Sequence, residues 1–438
     1  MALGGGTFIT QNKILPGAYI NFVSAARATA TLSDRGIATM PHFLDWGVQG
    51  EVVEVSSADF QRNSMKIFGY DFTAPQLKGL RDLFKNIRLA YLFRLGTGGV
   101  KAANEFATAK HTGQRGNALK VVIAPNVDNP ALFDVTLFLD TARVDAQTVA
   151  DAAGLANNDF VVWKSDATLS ATAGTPLENG TNPAFTNSDF QNYLDLVEQY
   201  SFNAIGCPSN DTAVKGLFTA FTKRMRDEQG VKFQCVEYNP DSNTDFEGVI
   251  DVMNPVTDDG AEEWSAVWWT TGVAAGTNVN QSAMNRIYNG EYSLNVGYTQ
   301  TQLERAILGG KFAFHRVGGS DIRVLADINS LTTVTAEKGE DFKQNQTIRV
   351  IDQIANDIAV LFNTKYLGVV PNDADGRISL WSDIVQHHVQ LQTIRAIENF
   401  SGDDVTVEQG NTKRAVVVND KVTPVNAMAQ LYMTCVVA

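Results

Sequence analysis

Two rhythms of apolar residues alternate along this chain. Positions that switch between apolar and polar at every step place their apolar side chains on one face of a strand, whereas apolar residues recurring every third or fourth position share one face of a helix. The first long segment, "TFITQNKILPGAYINFVSAAR" (7–27), has no helical period, is punctuated by Pro16-Gly17 and reads as extended. "DRGIATMPHFLDWG" (34–47) and "GEVVEVSS" (50–57) read as a strand pair joined by a loop. In "APQLKGLRDLFKN" (74–86), Leu77, Leu80 and Phe84 fall at helical spacing, and Pro75 sits in the opening turn, where its missing N–H is harmless.

From Gly98 the texture turns to β. "KAANEFATAKHTGQRGNALKVVIAPN" (101–126) offers two strands around a glycine-containing turn, and "FDVTLFLD" (133–140) alternates with Phe133, Val135, Leu137 and Leu139 on one face. Short strands and Gly/Asn/Asp turns continue to "ATAGTPLENGTNP" (171–183), which predicts a small all-β module inserted in the chain.

From about Asn187 helices alternate with short buried strands, the pattern of a parallel or mixed α/β sheet. "SDFQNYLDLVEQY", "DTAVKGLFTAFTKRMRDEQG" with Gly230 as its C-cap, and the apolar "EEWSAVWWTTGVAAGT" read as helices; "FNAIGCP" and "KFQCVEYN" read as strands. "FAFHRVGGSDIRVLADINSL" (312–331) reads as a hairpin around Gly318-Gly319. In "NQTIRVIDQIANDIAVLFNTKY" (345–366), Ile348, Ile351, Ala355, Ile358 and Phe362 form a single helical stripe. A second helix follows in "SLWSDIVQHHVQLQTIRAIENF", and "DVTVEQGNTKRAVVVND" (404–420) is an alternating hairpin turning near Gln409–Asn411.

The ending, "VTPVNAMAQLYMTCVVA" (422–438), breaks the usual rule that termini are polar and unanchored. Leu431, Met433, Cys435 and Val437 would share one face of a strand, and Tyr432, Thr434 and Val436 the other. Both ends thus read as strands without a sequential neighbour. Each is either an edge strand of its own sheet or an arm that adds to a sheet of another subunit. The first arm, from Thr7 to Ala28, would reach about 70 Å if extended at about 3.3 Å per residue, more than a domain diameter. So apolar a tail left on an open edge invites aggregation.

At 438 residues the chain exceeds one simple core, which predicts about two to four domains. A net charge of −13 argues against a nucleic-acid groove, which needs clustered Lys and Arg. "MALGGGTFITQNK" lacks the apolar stretch of a secretory signal, and no apolar run approaches the roughly 20 residues of a membrane span. Cys207, Cys235 and Cys435 are far apart and odd in number, which fits a reducing compartment and neither a disulfide framework nor a zinc site.

Catalytic and cofactor motifs fail one by one. There is no GxSxG, HExxH or GxxxxGK[ST]. "GGKF" (309–312) has Phe where a phosphate loop needs Ser or Thr, and "GTGG" (96–99) lacks the third glycine of a dinucleotide fingerprint and reads as a hinge. Of the five histidines, His42, His111, His315, His387 and His388, no pair lies at i, i+4 on a helix. His387 and His388 point about 100° apart, so they cannot easily chelate one ion, and the histidines read as ordinary surface or half-buried residues. "DSNTDFEG" (241–248) mimics the start of a calcium loop but has Phe246 where the turn glycine belongs and reads as a polar loop. Trp264 and Trp268 share a helix face with Trp269 beside them, and core packing is the better reading than a ligand platform. No catalytic residue, cofactor or metal is expected.

The chain resembles contractile tail sheath proteins, the family shared by myophage tails, phage-like bacteriocins and defective prophage particles. The resemblance runs in order through "PGAYINF", "RGIATMPHFLDWG", "TGQRGNALKVVI", "TPLENGTN", "FEGVIDVMN", "AGTNVNQS" and "RVLADINSLTT", and is strongest in the closing "VTPVNAMAQLYMTCVV". It implies an α/β and β multidomain chain: an N-terminal arm (1–28), an N-terminal α+β domain (29–97), an inserted β-sandwich (98–180), a subtilisin-like α/β domain (181–330), a C-terminal α+β domain (331–418) and a C-terminal arm (419–438). In the family that fold is structural, and subunits stack as rings, expected to be hexameric, into a helical tube around a tail tube protein. Baseplate and tail terminator proteins are further implied partners, without nucleic acid or membrane insertion, and assembly is implied in a bacterial host cytoplasm. The inter-subunit strands implied are Ile14, Tyr19, Ile20 and Phe22 in the first arm, Val405, Val407, Val416 and Val418 in the hairpin, and Val425, Leu431, Tyr432, Met433, Cys435 and Val437 in the tail. Glycines 4–6 and Pro16-Gly17 would act as hinges. Contraction would release stored conformational energy without a nucleotide. Two other readings stay open. A capsid or tube protein with swapped arms is disfavoured by a β module joined to an α/β core, and a hydrolase on a subtilisin-like fold is disfavoured because no nucleophile motif stands beside His42, His111 or His315.

Overall fold

The computed structural model describes residues 32–319 and 321–437. They form two compact units, the larger built from Ser33–Asn356, Ile394–Glu398 and the chain from Thr423 on, the smaller including Asp357–Thr393 and Asn399–Val422.

In the larger unit β1 (Ile37–His42), β2 (Val52–Ser56) and β3 (Leu89–Arg94) come first. A β module follows with β4 (Ala107–Ala109), β5 (Leu119–Pro125), β6 (Phe133–Leu139), β7 (Ala142–Val149), β8 (Val161–Trp163) and β9 (Thr172–Pro176). Then come β10 (Ala204–Gly206), β11 (Gln234–Tyr238), β12 (Val249–Val252) and β13 (Lys311–Phe312), and the hairpin of β14 (Phe314–Val317) and β15 (Asp321–Val324).

One seven-stranded sheet, in the order β13-β12-β11-β10-β1-β3-β2, organises the unit. Every neighbouring pair is parallel except β2 and β3. This corrects one expectation: β1 and β2, read as a strand pair, both pair with β3 instead of with each other, and all three strands from residues 29–97 lie in this one sheet. Burial explains the arrangement. β1 is covered on both faces and takes a central place, whereas β2 is half-exposed and suits the edge.

Helices cover both faces. On one lie α1 (Ser57–Phe68), α2 (Lys78–Phe84) and α5 (Ala266–Gly276), whose side chains meet Ala38, Met40, Ala90 and Leu92 of the sheet. On the other lie α3 (Asn187–Val197) and α4 (Thr212–Lys223), with Phe190, Tyr193 and Phe218 against Phe93, Ile205 and Cys235. α1 begins at Ser56, whose hydroxyl accepts from the Asp59 N–H at 3.0 Å, and stops at Gly69 in the left-handed region. α5 is buried on every side, which is why its sequence lacks a polar face. Its Trp269 donates from Nε1 to Asn289 Oδ1 at 2.8 Å and packs on Tyr288 and Phe314, so the tryptophan cluster is core. α6 (Gln300–Leu308) precedes β13.

The β module has a four-stranded antiparallel sheet, β7-β6-β5-β9, and a second sheet of β4 with β8. Val135, Leu137 and Leu139 of β6 point inward as their alternation predicts, joining Leu119, Val121 and Ile123 of β5. β4 and β5, read from sequence as strands around one turn, pair with different partners, because the turn between them opens into a 3-10 segment at Gln114–Ala118.

α7 (Asn345–Leu361) begins in the larger unit, where its polar side is the buried one: Arg349 bonds Asp327 at 2.5 Å and Asp352 bonds Arg226 at 2.7 Å. Of the predicted apolar stripe only Ile348 is fully buried. In the smaller unit α8 (Ala374–Thr393) carries the antiparallel pair β16 (Val405–Gln409) and β17 (Val416–Asp420).

Candidate subunit-interface elements

The hairpin of the smaller unit brings four of the expected residues together. Val407 lies directly opposite Val418, while Val405 pairs with Asp420 and Val416 with Gln409. Val405 is buried, Val407 and Val416 are half-buried, and Val418 is exposed. The sheet has two strands only, so among the described residues each strand has one edge without a strand partner. α8 fixes the hairpin through Trp381, whose Nε1 donates to the carbonyls of Gly402 and Val405, both at 3.1 Å.

A chain of four polar side chains, three of them buried, fixes the same end of the hairpin through β17. His387 Nε2 lies 3.0 Å from Asp357 Oδ2, the two imidazoles meet Nδ1 to Nδ1 at 3.2 Å, and His388 Nε2 lies 2.7 Å from Asp420 Oδ2. Both histidines are fully buried, which corrects their reading as surface or half-buried residues. Spacing gave no sign of this, since Asp357 and Asp420 lie 30 and 32 residues away. Two adjacent histidines within one helical stretch were the trace the sequence carried.

Past β17 the chain is pinned briefly in the larger unit. Val425 donates its N–H to the Ala396 carbonyl at 2.9 Å, Pro424 bridges Ile397, and the Ala427 N–H reaches Gln346 Oε1 at 3.0 Å. Val425, expected within the free arm, is therefore tied to its own chain. After Ala427 residues 428–437 are exposed and, among the described residues, take part in no strand pairing. Leu431 is 85% exposed, Tyr432 87% and Val437 95%, with Met433 and Cys435 exposed beside them. Ile14, Tyr19, Ile20 and Phe22 lie outside the described residues.

Where an α/β sheet reverses strand order, at the carboxyl ends of β1 and β10, such folds usually place their ligands. Here Phe43, just past β1, meets Phe185 at 5.0 Å, Trp264 at 6.1 Å and Phe190 at 6.4 Å, and the aromatic cluster fills the position. A cleft of about 380 Å³ is lined by His42, Lys66, Lys110, His111 and Asp159 among others, but by no Ser, Thr or Cys. Burial and the nearby Arg94 push His42 down to about 3, and burial with Lys110 pushes His111 down to about 4, so both imidazoles are neutral at physiological pH. The Asp159 carboxylate is occupied by Lys66 at 3.0 Å and Lys110 at 3.6 Å.

Two motifs dismissed singly from the sequence meet in space. The Lys311 ammonium of "GGKF" enters the loop of "DSNTDFEG", donating to the carbonyls of Asn239, at 2.6 Å, and Ser242 and to Asp251 at 3.2 Å. That loop thus holds an internal cation. Asp245, its central acid, accepts instead from the N–H groups of Thr332 and Thr333 at 2.7 and 2.9 Å. Among the described residues no group of His, Cys, Asp and Glu is placed to hold a metal ion, and no helix is long and apolar enough to cross a membrane.

Comparison with known proteins matches three families along the chain. Residues 97–182 match the phage tail sheath protein beta-sandwich domain, 184–330 the phage tail sheath protein central domain and 337–438 the phage tail sheath C-terminal domain. The phage-like element PBSX protein XkdK of Bacillus subtilis is 32% identical over 466 residues, covering 98% of this chain and 99% of that protein. The crystal structure of the sheath tail protein from Desulfitobacterium hafniense superposes with a TM-score of 0.82 at 38% identity, covering 94% of this chain and 98% of the other. The anti-feeding prophage helical sheath in its contracted state shares the fold at a TM-score of 0.58 and 12% identity, over 96% of this chain and 98% of the other.

Proposed function

This chain belongs to the phage tail sheath protein family, and from that premise we propose that it polymerises helically around a tail tube by exchanging its terminal strands and contracts to drive the tube through a target envelope. It is a structural component of a phage tail-like particle and not an enzyme. The observation that carries the assembly mechanism is the pairing of an exposed apolar tail, 428–437, with a two-stranded hairpin whose edges carry no strand partner among the described residues. A tail strand from one subunit, laid beside the hairpin of another, satisfies both.

Burial outweighs hydrogen bonding in this step. Each ladder hydrogen bond contributes about 0.5–1.5 kcal/mol net, whereas covering Leu431, Met433 or Val437 contributes about 1.5–3 kcal/mol per side chain. Strand linkage of this kind persists while rings rotate, so subunits assembled in an extended state remain joined as they contract. Better subunit contact after contraction supplies the driving force, and no nucleotide is required. The contracted anti-feeding prophage sheath, which shares the fold, supports a contractile role. Stacked hexameric rings, a tail tube protein, and baseplate and terminator partners complete the reading, with assembly in the host cytoplasm. The parallel sheet with helices on both faces supports a subtilisin-like core used as a scaffold.

The test is electron microscopy of the full chain beside a version ending at Asn426. Tubes from the first and no polymer from the second are expected; equal polymerisation by both would remove the tail from the mechanism.

A further inference from the structure

Glu237 of β11 and Asp251 of β12 are register neighbours on adjacent parallel strands, 2% and 0% exposed. Thr244, from the loop that joins the two strands, lies between them: its Oγ1 is 2.7 Å from Glu237 Oε1 and 3.0 Å from Asp251 Oδ1. A hydroxyl has one proton to give. It can serve only one of these oxygens, so the second contact needs a proton on a carboxyl group.

The partners decide which carboxyl carries it. Asp251 Oδ2 accepts from the Thr244 N–H at 3.1 Å, Asn239 Nδ2 at 3.1 Å and the Lys311 ammonium at 3.2 Å, the environment of an ionised carboxylate. Glu237 has no such set; among the described residues it meets, beyond Thr244, the Thr219 hydroxyl at 3.4 Å and the Asp251 carboxyl itself, a contact between two acids that needs a proton on one of them. We propose that Glu237 is carried as a neutral acid, and that its proton latches the 239–248 loop onto the ends of β11 and β12. In this arrangement Glu237 donates to Thr244 Oγ1, and Thr244 donates to Asp251.

The loop is itself an anchor for the segment that leads into α7. Asp245 accepts from the Thr332 and Thr333 backbones, Phe246 and Ser330 exchange hydrogen bonds at 3.2 and 2.9 Å, and Glu247 pairs with Lys338 at 2.6 Å. Loss of the Glu237 proton leaves two buried carboxylates side by side with Lys311 as the one ammonium in direct contact, and Thr244 bonds only one of them. The loop and the 330–338 segment then open together.

The titratable groups bearing on Glu237 are Asp251 on β12, Lys215 on α4, Lys311 beside Asp251, and the thiols of Cys207 and Cys235, both held protonated by burial. Burial and then the Asp251 charge raise Glu237 to about 7. A raised carboxyl makes the closed form bind the extra proton, so closure is strongest at low pH and weakens as pH rises from the unperturbed value to about 7.

The experiment is amide hydrogen exchange of the full-length protein across this range, corrected for the intrinsic rate. Protection of 239–248 and 330–338 should fall as pH rises from about 4.5 to about 7 and then level off, by up to on the order of a hundredfold. Glu237→Gln, whose amide is a neutral donor at every pH, should stay protected throughout. A flat profile in the wild type, or the same slope in Glu237→Gln, would overturn the latch. A second measurement needs no variant: the infrared difference between about pH 5.5 and about pH 8.5 should show loss of a protonated carboxylic acid, and absence of that band would sink the proposal as well.

Discussion

His388 Nε2 and Asp420 Oδ2 stand 2.7 Å apart, and through this contact the last residue of β17 is fastened to the buried side of α8. The strand proposed to receive a neighbour's arm is thus held at the end where its own chain departs toward the tail. His388→Ala would leave Asp420 without that donor and open a cavity beside Phe400, whose ring lies 5.0 Å from the imidazole. We expect a loss of about 2–4 kcal/mol, read as a lower thermal midpoint for the C-terminal region. An unchanged midpoint would show that Trp381 alone secures the hairpin.

The tail predicts a separation of stability from assembly. Leu431 and Met433 are exposed in the chain, so Leu431→Asp and Met433→Asp should alter its own stability by less than about 0.5 kcal/mol. The same changes should abolish tubes, because a charge would enter a face that the partner buries. Calorimetry paired with sedimentation distinguishes the two effects. A parallel fall in both would mean that the tail stabilises its own subunit.

Acid should weaken the larger unit through His42. Burial and Arg94 depress this imidazole to about 3, and its Nδ1 accepts from the Leu44 N–H at 3.4 Å, a contact that protonation removes. The unfolded chain takes up the proton near 6.5 and the folded one only near 3, so the stabilisation is complete above about 6.5 and is lost as pH falls toward 3. The loss amounts to about 3–4 kcal/mol by pH 3–4. In His42→Leu, urea midpoints measured across this range should fall less steeply than in the wild type. His111, depressed in the same direction, leaves a residual slope.

Local elements were legible in the sequence wherever one residue type had one job. Gly230 ends its helix as read, the uniform apolarity of α5 marked core packing, and the tail stood out by its scarcity of polar side chains; the helix that Ser56 caps was not read, because "GEVVEVSS" reads as strand to its end. Partner choice was not legible. Alternation showed that β1 and β2 are strands, but only the rest of the fold places β3 between them. Buried polar groups were missed for a related reason. Glu237 in "KFQCVEYN" and Asp251 in "FEGVIDVMN" are acids inside fully buried strands, a local conflict that itself signals a special site. Their third member, Thr244, emerges only when the strands lie in register.

Among the described residues the hold on the tail ends at Ala427, and that fixes a length. Residues 428–437, extended at about 3.3 Å each, span about 33 Å. A receiving edge in another subunit must lie inside a sphere of that radius around Ala427. In the proposed strand exchange, a lattice can change its rise and twist only along paths that keep residues 428–437 of one subunit within reach of the receiving edge of another, so the arm would act as a leash on how far contraction moves neighbours apart.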